Sequence, residues 1–294
     1  HAGNRSDRQK QSPQQKKEIR GRGRCVIRQS LIIWIYDFVM YVYLYDNFLR
    51  KKQHLSTVKS MEVRLTDYGI AGKILRLTNY IDVKPIVDDE LKKGATTIVV
   101  VGDDSTFGQV LSRSATCDCV FGFLPVGDAN NTIAQVLGIP IGVDACDVLS
   151  KRRKERLDIG WMNNRYFISQ LLVKPAKIEV VYNEKFKVSA VEKMEVVVCN
   201  LQPFYWKRFK TDRDQQVVNP QDGKLEAFLR PLKRKKWWGY HYEDPSIFPF
   251  EEMSITGVEA FTVEADGKIS KEKNLKIKLA RSKVEMIVGR NRKF

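Results

Sequence analysis

The sequence predicts a chain in two parts, an α/β domain followed by a domain built almost entirely from β-strands. Between residues 40 and 145, short segments rich in β-branched and aromatic residues alternate with segments of helical periodicity. Strands that alternate with helices indicate a mostly parallel sheet. From residue 146 to 294, strand-like segments follow one another and helical spacing is rare. This second region is therefore predicted to be a β domain.

The elements of the first domain can be assigned one by one. The predicted strands have high β-propensity, and three of the helical segments end next to a glycine, a common helix stop. In chain order we predict a strand at 41–45, a helix at 51–68, a strand at 73–77, a helix at 83–93, a strand at 96–101, a helix at 107–114, a strand at 120–125 and a helical segment at 131–137.

The second domain is read in the same way, from short apolar runs separated by polar residues and turns. The predicted strands are 157–161, 166–172, 176–182, 187–191, 194–199, 225–229, 254–259, 261–264, 275–279 and 284–288.

Residues 1–39 are predicted to be a basic, disordered extension, with Met40 as the start of the folded protein. The first 30 residues carry nine Lys or Arg, two Asp or Glu and few apolar residues. The apolar stretch from 31 to 45 is 15 residues long and contains Asp37, whereas a membrane-spanning helix needs roughly 20 apolar residues. A signal peptide is a less favoured alternative, because no small-residue cleavage site follows.

The charge, the cysteines and the histidines limit the partners, the cellular compartment and the kinds of site that the sequence allows. The formal net charge is +16, and most of it lies outside the first 30 residues. A basic surface favours nucleotide phosphates, anionic lipid or nucleic acid as partners. The five cysteines are scattered, which predicts reduced, intracellular thiols and not a disulfide framework. With three histidines, a histidine-rich metal site or a Ser–His triad is not expected.

Two polar loops directly follow predicted buried strands, at residues 102–106 and 125–132. The carboxyl ends of strands are where open α/β sheets bind ligands. Small residues let backbone N–H groups approach a phosphate, and the following helix adds a favourable dipole. The alternative is that Asp104, Ser105 or Thr106 only caps the helix expected from Phe107.

These loops and several later segments resemble the diacylglycerol kinase catalytic-domain family, which includes sphingosine kinases and is structurally related to NAD kinases. Gly102-Asp103-Asp104-Ser105-Thr106 stands where the family has Gly-Gly-Asp-Gly-Thr. The second loop, followed by Leu137-Gly-Ile-Pro140, is similar to the family's Leu-Pro-Leu-Gly-Thr-Gly-Asn-Asp and Leu-Gly-Ile-Pro segments. One residue is inserted, so Asn130 and Asn131 both stay candidates for the family asparagine. Further similar segments are 157–160, 165–167, 198–200, 218–225 and 265–268.

The resemblance implies a three-layer α/β nucleotide-binding domain at 40–145 and a β-sandwich domain at 146–294. ATP would lie between them with Mg²⁺, and a lipid hydroxyl would attack the γ-phosphoryl group. Asp104 or Asp266 would orient or deprotonate that hydroxyl, and Asp104 would also hold the metal. The residues implied in binding ATP are Gly102, Asp103, Ser105, Thr106, Gly127, Asn130, Asn131 and Asn47.

Several family positions are altered, and they leave alternatives open. Asp103 and Ser105 replace glycines, and Asp103 adds negative charge beside the expected phosphates. The other changes are Asp128 and Ala129 for Thr-Gly, Lys268 for Glu, and Asp46-Asn47 in place of an early Asn-Pro. One alternative is therefore a non-catalytic nucleotide- or lipid-binding member. A second is a small-molecule kinase, for example one acting on a dinucleotide, because that fold is shared.

A basic and aromatic segment in the second domain favours contact with an anionic membrane. It contains Lys233, Arg234, Lys235, Lys236, Trp237 and Trp238. The alternative is a solvated loop whose tryptophans pack into the sandwich, and the basic cluster at 151–156 is interpreted as solvated surface. Nucleic-acid binding is disfavoured, because no binding motif accompanies these residues. We predict a cytoplasmic, peripheral-membrane, ATP-dependent lipid kinase, with a homodimer left open.

Overall fold

A parallel sheet covered by helices forms the first part of the fold. The structure is a computed structural model, and it describes residues 40–78, 83–127, 131–183, 185–189, 192–205, 215–235 and 239–294. The predicted extension at 1–39 lies outside the described residues, as do Asp128, Ala129, Asn130, Lys236, Trp237 and Trp238. The strands of this sheet are β1 (Met40–Tyr45), β2 (Lys73–Arg76), β3 (Ala95–Gly102), β4 (Val120–Pro125), β5 (Lys154–Leu157) and β19 (Val284–Ile287).

The helices alternate with the first strands, as predicted. They are α1 (Lys52–Asp67), α2 (Val83–Lys92), α3 (Asp104–Ser114), α4 (Thr132–Val136) and α5 (Ala145–Lys151), with 3-10 turns at Asn47–Arg50 and Gly142–Asp144. The strand order is β2-β1-β3-β4-β19-β5, and only the β19–β5 pair among these described strands is antiparallel. Strands β3 and β4 are buried along almost their whole length, as expected when both faces of a parallel sheet are covered.

Neighbouring residues of β4 show that helices cover both faces. The Phe123 ring lies 4.6 Å from the Phe107 ring of α3. A β-carbon placed on Gly122 would lie 2.7 Å from Cδ1 of Leu149 in α5. Because successive residues of a strand point to opposite faces, α3 and α5 lie on opposite sides of the sheet. The predicted three-layer arrangement is confirmed.

The first sheet also takes two strands from beyond residue 145, where the sequence analysis placed the β domain. Strand β19 pairs in parallel with β4, and β5 pairs with β19 as the outer strand. Val284, Met286 and Ile287 of β19 are buried. Apolar alternation identifies such a segment as a strand but does not specify the sheet that it joins.

Gly289 fixes the segment after β19 against the end of α4. Its N–H donates to the Leu137 carbonyl oxygen at 2.8 Å. A β-carbon at Gly289 would lie 1.8 Å from the Gly138 carbonyl oxygen. We expect Gly289→Ala to lower the free energy of unfolding by about 2–3 kcal/mol through overpacking, measured by denaturant titration.

Gly69→Ala is the matched control, because Gly69 has φ +65° and a β-carbon there would meet nothing within 4 Å. It carries only the backbone penalty of the left-handed region, about 1 kcal/mol. Equal losses in the two variants would contradict the close approach at Gly289.

The second part of the fold is a large antiparallel sheet. Its strands are β6 (Gly160–Met162), β7 (Arg165–Phe167), β8 (Gln170–Ala176), β9 (Ile178–Tyr182), β10 (Phe186–Ser189), β11 (Met194–Cys199), β14 (Leu225–Lys235), β15 (Gly239–Tyr242), β16 (Ser246–Phe250), β17 (Glu252–Ala265) and β18 (Lys268–Leu279). A separate ribbon contains β12 (Phe204–Tyr205) and β13 (Gln215–Gln216).

The sheet bends at an irregularity in β17. Residues 253–257 pair with β9, residues 263–265 pair with β8, and the register against β18 shifts between Thr256 and Phe261. Such a bulge bends a strand. Buried side chains from β6, β9, β14 and β17 consequently share one apolar core. The predicted fold class, an α/β domain followed by a β domain, is confirmed.

Two predicted strands are interrupted by breaks of two residues, and the strand expected at 176–182 is divided at Lys177 between β8 and β9. The strand expected at 166–172 breaks between β7 and β8 at Ile168 and Ser169, whose N–H groups donate to the Asp266 carboxylate. The strand expected at 157–161 breaks at Asp158 and Ile159. Within the described residues the four cysteines are free thiols, and no helix is long and apolar enough to cross a membrane.

Candidate functional site

A cavity of about 310 Å³ lies where the carboxyl ends of β3 and β4 meet the antiparallel sheet. The start of α3 contributes Asp103, Asp104 and Ser105 to its wall, and links between strands of the antiparallel sheet contribute Ser169, Asp266 and Gly267. Two segments singled out in the sequence, 102–106 and 265–268, therefore face one cleft. The predicted catalytic pair, Asp104 and Asp266, is brought together there.

Asp104 has one carboxylate oxygen engaged and one without a partner. Oδ2 accepts a hydrogen bond from the Ile133 N–H at 2.8 Å. Oδ1 is buried and has no hydrogen-bond partner within the described part of the chain. Burial raises the pKa of Asp104 to about 7, against the opposing effect of the N–H groups at the start of α4. A carboxyl group with such a pKa can accept a proton near neutral pH.

The raised pKa of Asp104 predicts a pH dependence of stability. The folded state binds the proton more tightly than the unfolded state, whose aspartate has a pKa near 3.8. Between about pH 4 and pH 7 the folded protein therefore holds more protons, and its stability falls as pH rises through this window. We compare the free energy of unfolding of Asp104→Asn with that of the unchanged protein. The difference should shift in favour of the variant by on the order of 2 kcal/mol between pH 4 and pH 8, because only the unchanged protein loses stability as Asp104 ionises.

The measurement is denaturant unfolding of both proteins across that pH range. Asp118→Asn, at another loop position, is the comparison for general charge effects. A stability difference for Asp104→Asn that does not change with pH would contradict a raised pKa at this residue.

Asp266 has both carboxylate oxygens engaged. Oδ2 accepts from the Ile168 N–H at 2.8 Å, and Oδ1 accepts from the Ser169 N–H at 3.0 Å and from the Ser169 hydroxyl. Burial raises the pKa of Asp266, and these hydrogen bonds oppose that rise. Asp266 thus ties the link between β7 and β8 to the turn between β17 and β18.

Helix α3 packs directly on this turn. A β-carbon on Gly108 would lie 3.2 Å from Cβ of Asp266, and one on Gly267 would lie 3.0 Å from Oγ of Ser105. Gly267 has φ +74°, a conformation that favours glycine. The absence of side chains at these two positions sets the separation of the two walls of the cleft.

Asp103 caps α3 with its side chain. Its Oδ1 accepts from the Thr106 N–H at 2.8 Å, and the Thr106 hydroxyl lies 3.0 Å from the same oxygen. The alternative that Asp104, Ser105 or Thr106 caps a helix starting near Phe107 is wrong, because the helix begins at Asp104 with Asp103 before it. A carboxylate of the protein thus satisfies an N–H group that a bound phosphate could otherwise use.

Thr106 connects the ends of β1 and β3. Its hydroxyl is 2.6 Å from Oδ2 of Asp46, while Oδ1 of Asp46 accepts from the Phe48 N–H at 2.8 Å. One hydroxyl proton serves only one acceptor at a time, so Asp46 and Asp103 compete for it. Gly102 belongs to the same contact, since a β-carbon there would lie 2.8 Å from the Thr106 side chain.

The other described residues that were predicted to bind nucleotide lie at the same edge of the sheet. Asn47 is exposed at the start of the 3-10 turn after β1. Gly127 has φ +102°, and the nearest atoms to a β-carbon there belong to His54 and Phe48, at 3.8 Å. The Asn131 amide donates to the Gly127 carbonyl oxygen at 2.9 Å, so it connects the residue before α4 to the segment after β4.

Sequence reasoning missed Asp46 and Ser169 as site residues. Asp46 directly follows a buried strand, so the rule that identified the other two loops could have found it. Ser169 carries no such signal, because its contact with Asp266 joins residues 97 positions apart.

The described residues contain no group of three or more His, Cys, Asp or Glu side chains that could hold a metal ion. Mg²⁺ is commonly bound through one or two carboxylates together with substrate phosphates. Oδ1 of Asp104, which has no hydrogen-bond partner among the described residues, fits one such ligand, since a cation would give this buried oxygen a partner.

Comparison with known proteins agrees with this geometry. Residues 44–162 match the family model of the diacylglycerol kinase catalytic domain. A diacylglycerol kinase structure from Bacillus anthracis str. Sterne superposes with a TM-score of 0.68 at 17% identity, covering 86% of this chain and 98% of that chain. A second structure from this organism, provisionally named a diacylglycerol kinase, gives 0.66 at 15% identity, with 85% and 97% covered.

At these identities the structures show a shared fold. No curated protein matches the chain. The resemblance to the diacylglycerol kinase catalytic-domain family is confirmed by the family match, and the fold of that family extends over most of the described residues.

Proposed function

We propose that this protein transfers the γ-phosphoryl group of ATP to the hydroxyl group of a lipid. The observation that carries the proposal is the state of Asp104 in the cleft: one buried oxygen without a partner among the described residues, and a pKa raised to about 7 by burial. A base with this pKa is matched to proton transfer near neutral pH. The family match favours a kinase and makes a lipid the first acceptor to test.

The proposal assigns different roles to the two acidic residues. Asp104 accepts the proton of the lipid hydroxyl. At the same time the hydroxyl oxygen of the lipid bonds to the γ-phosphorus, and the bond between this phosphorus and the leaving oxygen of ADP breaks. Asp266 is a positioning residue, because both of its carboxylate oxygens already accept hydrogen bonds from Ile168 and Ser169. Mg²⁺, when bound with ATP, would neutralise phosphate charge.

The predicted metal role of Asp104 competes with its role as a base. A cation on the carboxylate stabilises the charged form and lowers the pKa. A rate that rises with pH through about 7 supports Asp104 as the base. A rate without an inflection in that range supports Asp104 as the metal ligand.

The nucleotide is proposed to lie across the loops at the ends of β1, β3 and β4. Gly102, Asp103, Ser105 and Thr106 line the start of α3, and Asn47, Gly127 and Asn131 surround the neighbouring loops. Asn130 stays a prediction, since it lies outside the described residues. The space next to Gly127 and the positive φ of this residue support a backbone approach to phosphate.

The direct test is phosphoryl transfer from labelled ATP by the full chain with Mg²⁺. The acceptors are diacylglycerol and sphingosine in mixed micelles, and a dinucleotide in solution. Label in the lipid fraction that depends on the protein is the expected result. Label in the dinucleotide alone would replace the proposal with a soluble-substrate kinase.

A non-catalytic nucleotide- or lipid-binding protein is the second candidate. It is favoured by the Asp103 carboxylate, which occupies the Thr106 N–H and adds negative charge at the expected phosphate position. No transfer to any of these acceptors, together with retained binding of ATP or lipid vesicles, would favour this candidate.

Peripheral contact of a cytoplasmic protein with an anionic membrane is part of the proposal. The segment that contains Lys233, Arg234, Lys235, Lys236, Trp237 and Trp238 supports it. Within the described residues, positions 233–235 of β14 pair only with β15, whereas positions 226–231 pair with β11. The base of this hairpin is fixed by Arg230, whose guanidinium lies 4.3 Å from the Tyr242 ring. Lys233 forms an ion pair with Glu243, which reduces its free charge.

A further inference from the structure

A second cavity of about 630 Å³ lies where the segment after β19 crosses residues 138–140 and the end of α5. Its apolar wall includes Ile139 and Val288, which are buried. Three basic residues line it, Lys151, Arg153 and Arg290. None of its lining residues lines the cleft of Asp104 and Asp266. We call this cavity the basic groove.

Sheet pairing brings the three basic residues together from distant positions. Strand β5 runs antiparallel to β19, and the Val288 N–H donates to the Arg153 carbonyl oxygen at 2.8 Å. The basic cluster at 151–156 is thereby placed beside the basic end of the chain. From its local sequence alone, this cluster was predicted to be solvated surface.

Most acidic groups around the basic groove are already paired. Asp147, which also lines it, forms an ion pair with Arg64 at 3.0 Å and accepts from the Tyr68 hydroxyl at 2.7 Å. Glu155 pairs with Arg292 at 2.6 Å. Across the described part of the chain, Lys151, Arg153 and Arg290 have no ion-pair partner, and all three are exposed. Asp144 is the remaining acid in the wall, so the groove has an excess of positive charge.

The groove also has an exposed apolar residue at its edge. Ile141, which follows Pro140 at the edge of the groove, is 49% exposed. A site for a soluble anion gains nothing from such a side chain. A phospholipid surface offers anionic headgroups for the cations and an apolar layer for the isoleucine.

We propose that the basic groove docks the protein on an anionic phospholipid surface through Lys151, Arg153, Arg290 and Ile141. This contact is separate from the proposed chemistry, since it uses no residue of the cleft. It is also separate from the hairpin of β14 and β15. Each basic residue near an anionic membrane contributes about 1 kcal/mol, so the three together would increase membrane partitioning on the order of 100-fold.

The test is flotation of the full chain with vesicles of phosphatidylcholine, with and without phosphatidylglycerol. We expect the triple variant Lys151→Gln, Arg153→Gln, Arg290→Gln to lose on the order of 100-fold in partitioning to the anionic vesicles. The matched control is Lys52→Gln, Lys59→Gln, Lys271→Gln, which removes the same charge from exposed positions elsewhere. We expect Ile141→Ser alone to weaken binding to anionic vesicles several-fold.

Three results would overturn the proposal: no binding of the unchanged protein to anionic vesicles, equal losses in the two triple variants, or displacement by inorganic phosphate at ionic strength matched with chloride. The last result would indicate a site for a free anion.

Phosphoryl transfer to a short-chain diacylglycerol without vesicles is measured in parallel. The triple variant is expected to keep that activity, so failure of the docking proposal and failure of the proposed function give different results.

Discussion

Replacing Asp104 with asparagine is expected to reduce phosphoryl transfer by about 10²–10⁴-fold while the fold stays intact. The amide oxygen can still accept from the Ile133 N–H, which holds the Asp104 side chain at 2.8 Å. The substituted group cannot accept a proton from the lipid hydroxyl. The loss should therefore appear in kcat, with a small change in the KM for ATP. Initial rates at several lipid and ATP concentrations separate the two parameters.

Asp104→Ala is the second variant, and it should lose transfer as completely as the asparagine variant. Circular dichroism and thermal unfolding confirm that each variant is folded. Unchanged turnover in either folded variant would remove Asp104 from the reaction. In the unchanged protein, the rate should rise with pH through about 7, where the carboxyl group of Asp104 loses its proton.

Asp103→Gly is expected to increase the affinity for ATP on the order of 10-fold, measured by calorimetry. The carboxylate that accepts from the Thr106 N–H is removed, so this donor can face a phosphate. The repulsion between the carboxylate and the phosphates is also removed. The same change deletes the cap of α3, and we expect it to lower the free energy of unfolding by about 1 kcal/mol.

Asp103→Asn separates the two effects, because its side-chain oxygen can still cap the helix while the charge is lost. A gain in affinity with asparagine as well as glycine assigns the effect to charge, and a gain with glycine alone assigns it to the blocked N–H. If both variants bind Mg²⁺–ATP more weakly than the unchanged protein, Asp103 acts through the cation and the prediction is wrong.

Much of the α/β domain and of its site could be predicted from local sequence. Strands β3 and β4 and the polar loops after them were identified by apolar runs followed by small, polar residues, and the two loops do meet at one edge of the sheet. The start of α3 was placed three residues late, because the choice among successive polar residues for the cap depends on the backbone conformation of Asp103.

The sequence by itself determined the alternation of strands and helices between residues 40 and 137, the β-rich second half and the resemblance to a kinase family. These follow from side-chain periodicity, turn residues and motif order, which are local properties of the chain. Only the tertiary structure decided that β5 and β19 complete the first sheet and that Asp266 accepts hydrogen bonds from Ser169. It also decided that Arg290 and Arg153 line the same groove. Such contacts join residues far apart in sequence, and they are set by the burial of apolar faces and by strand pairing.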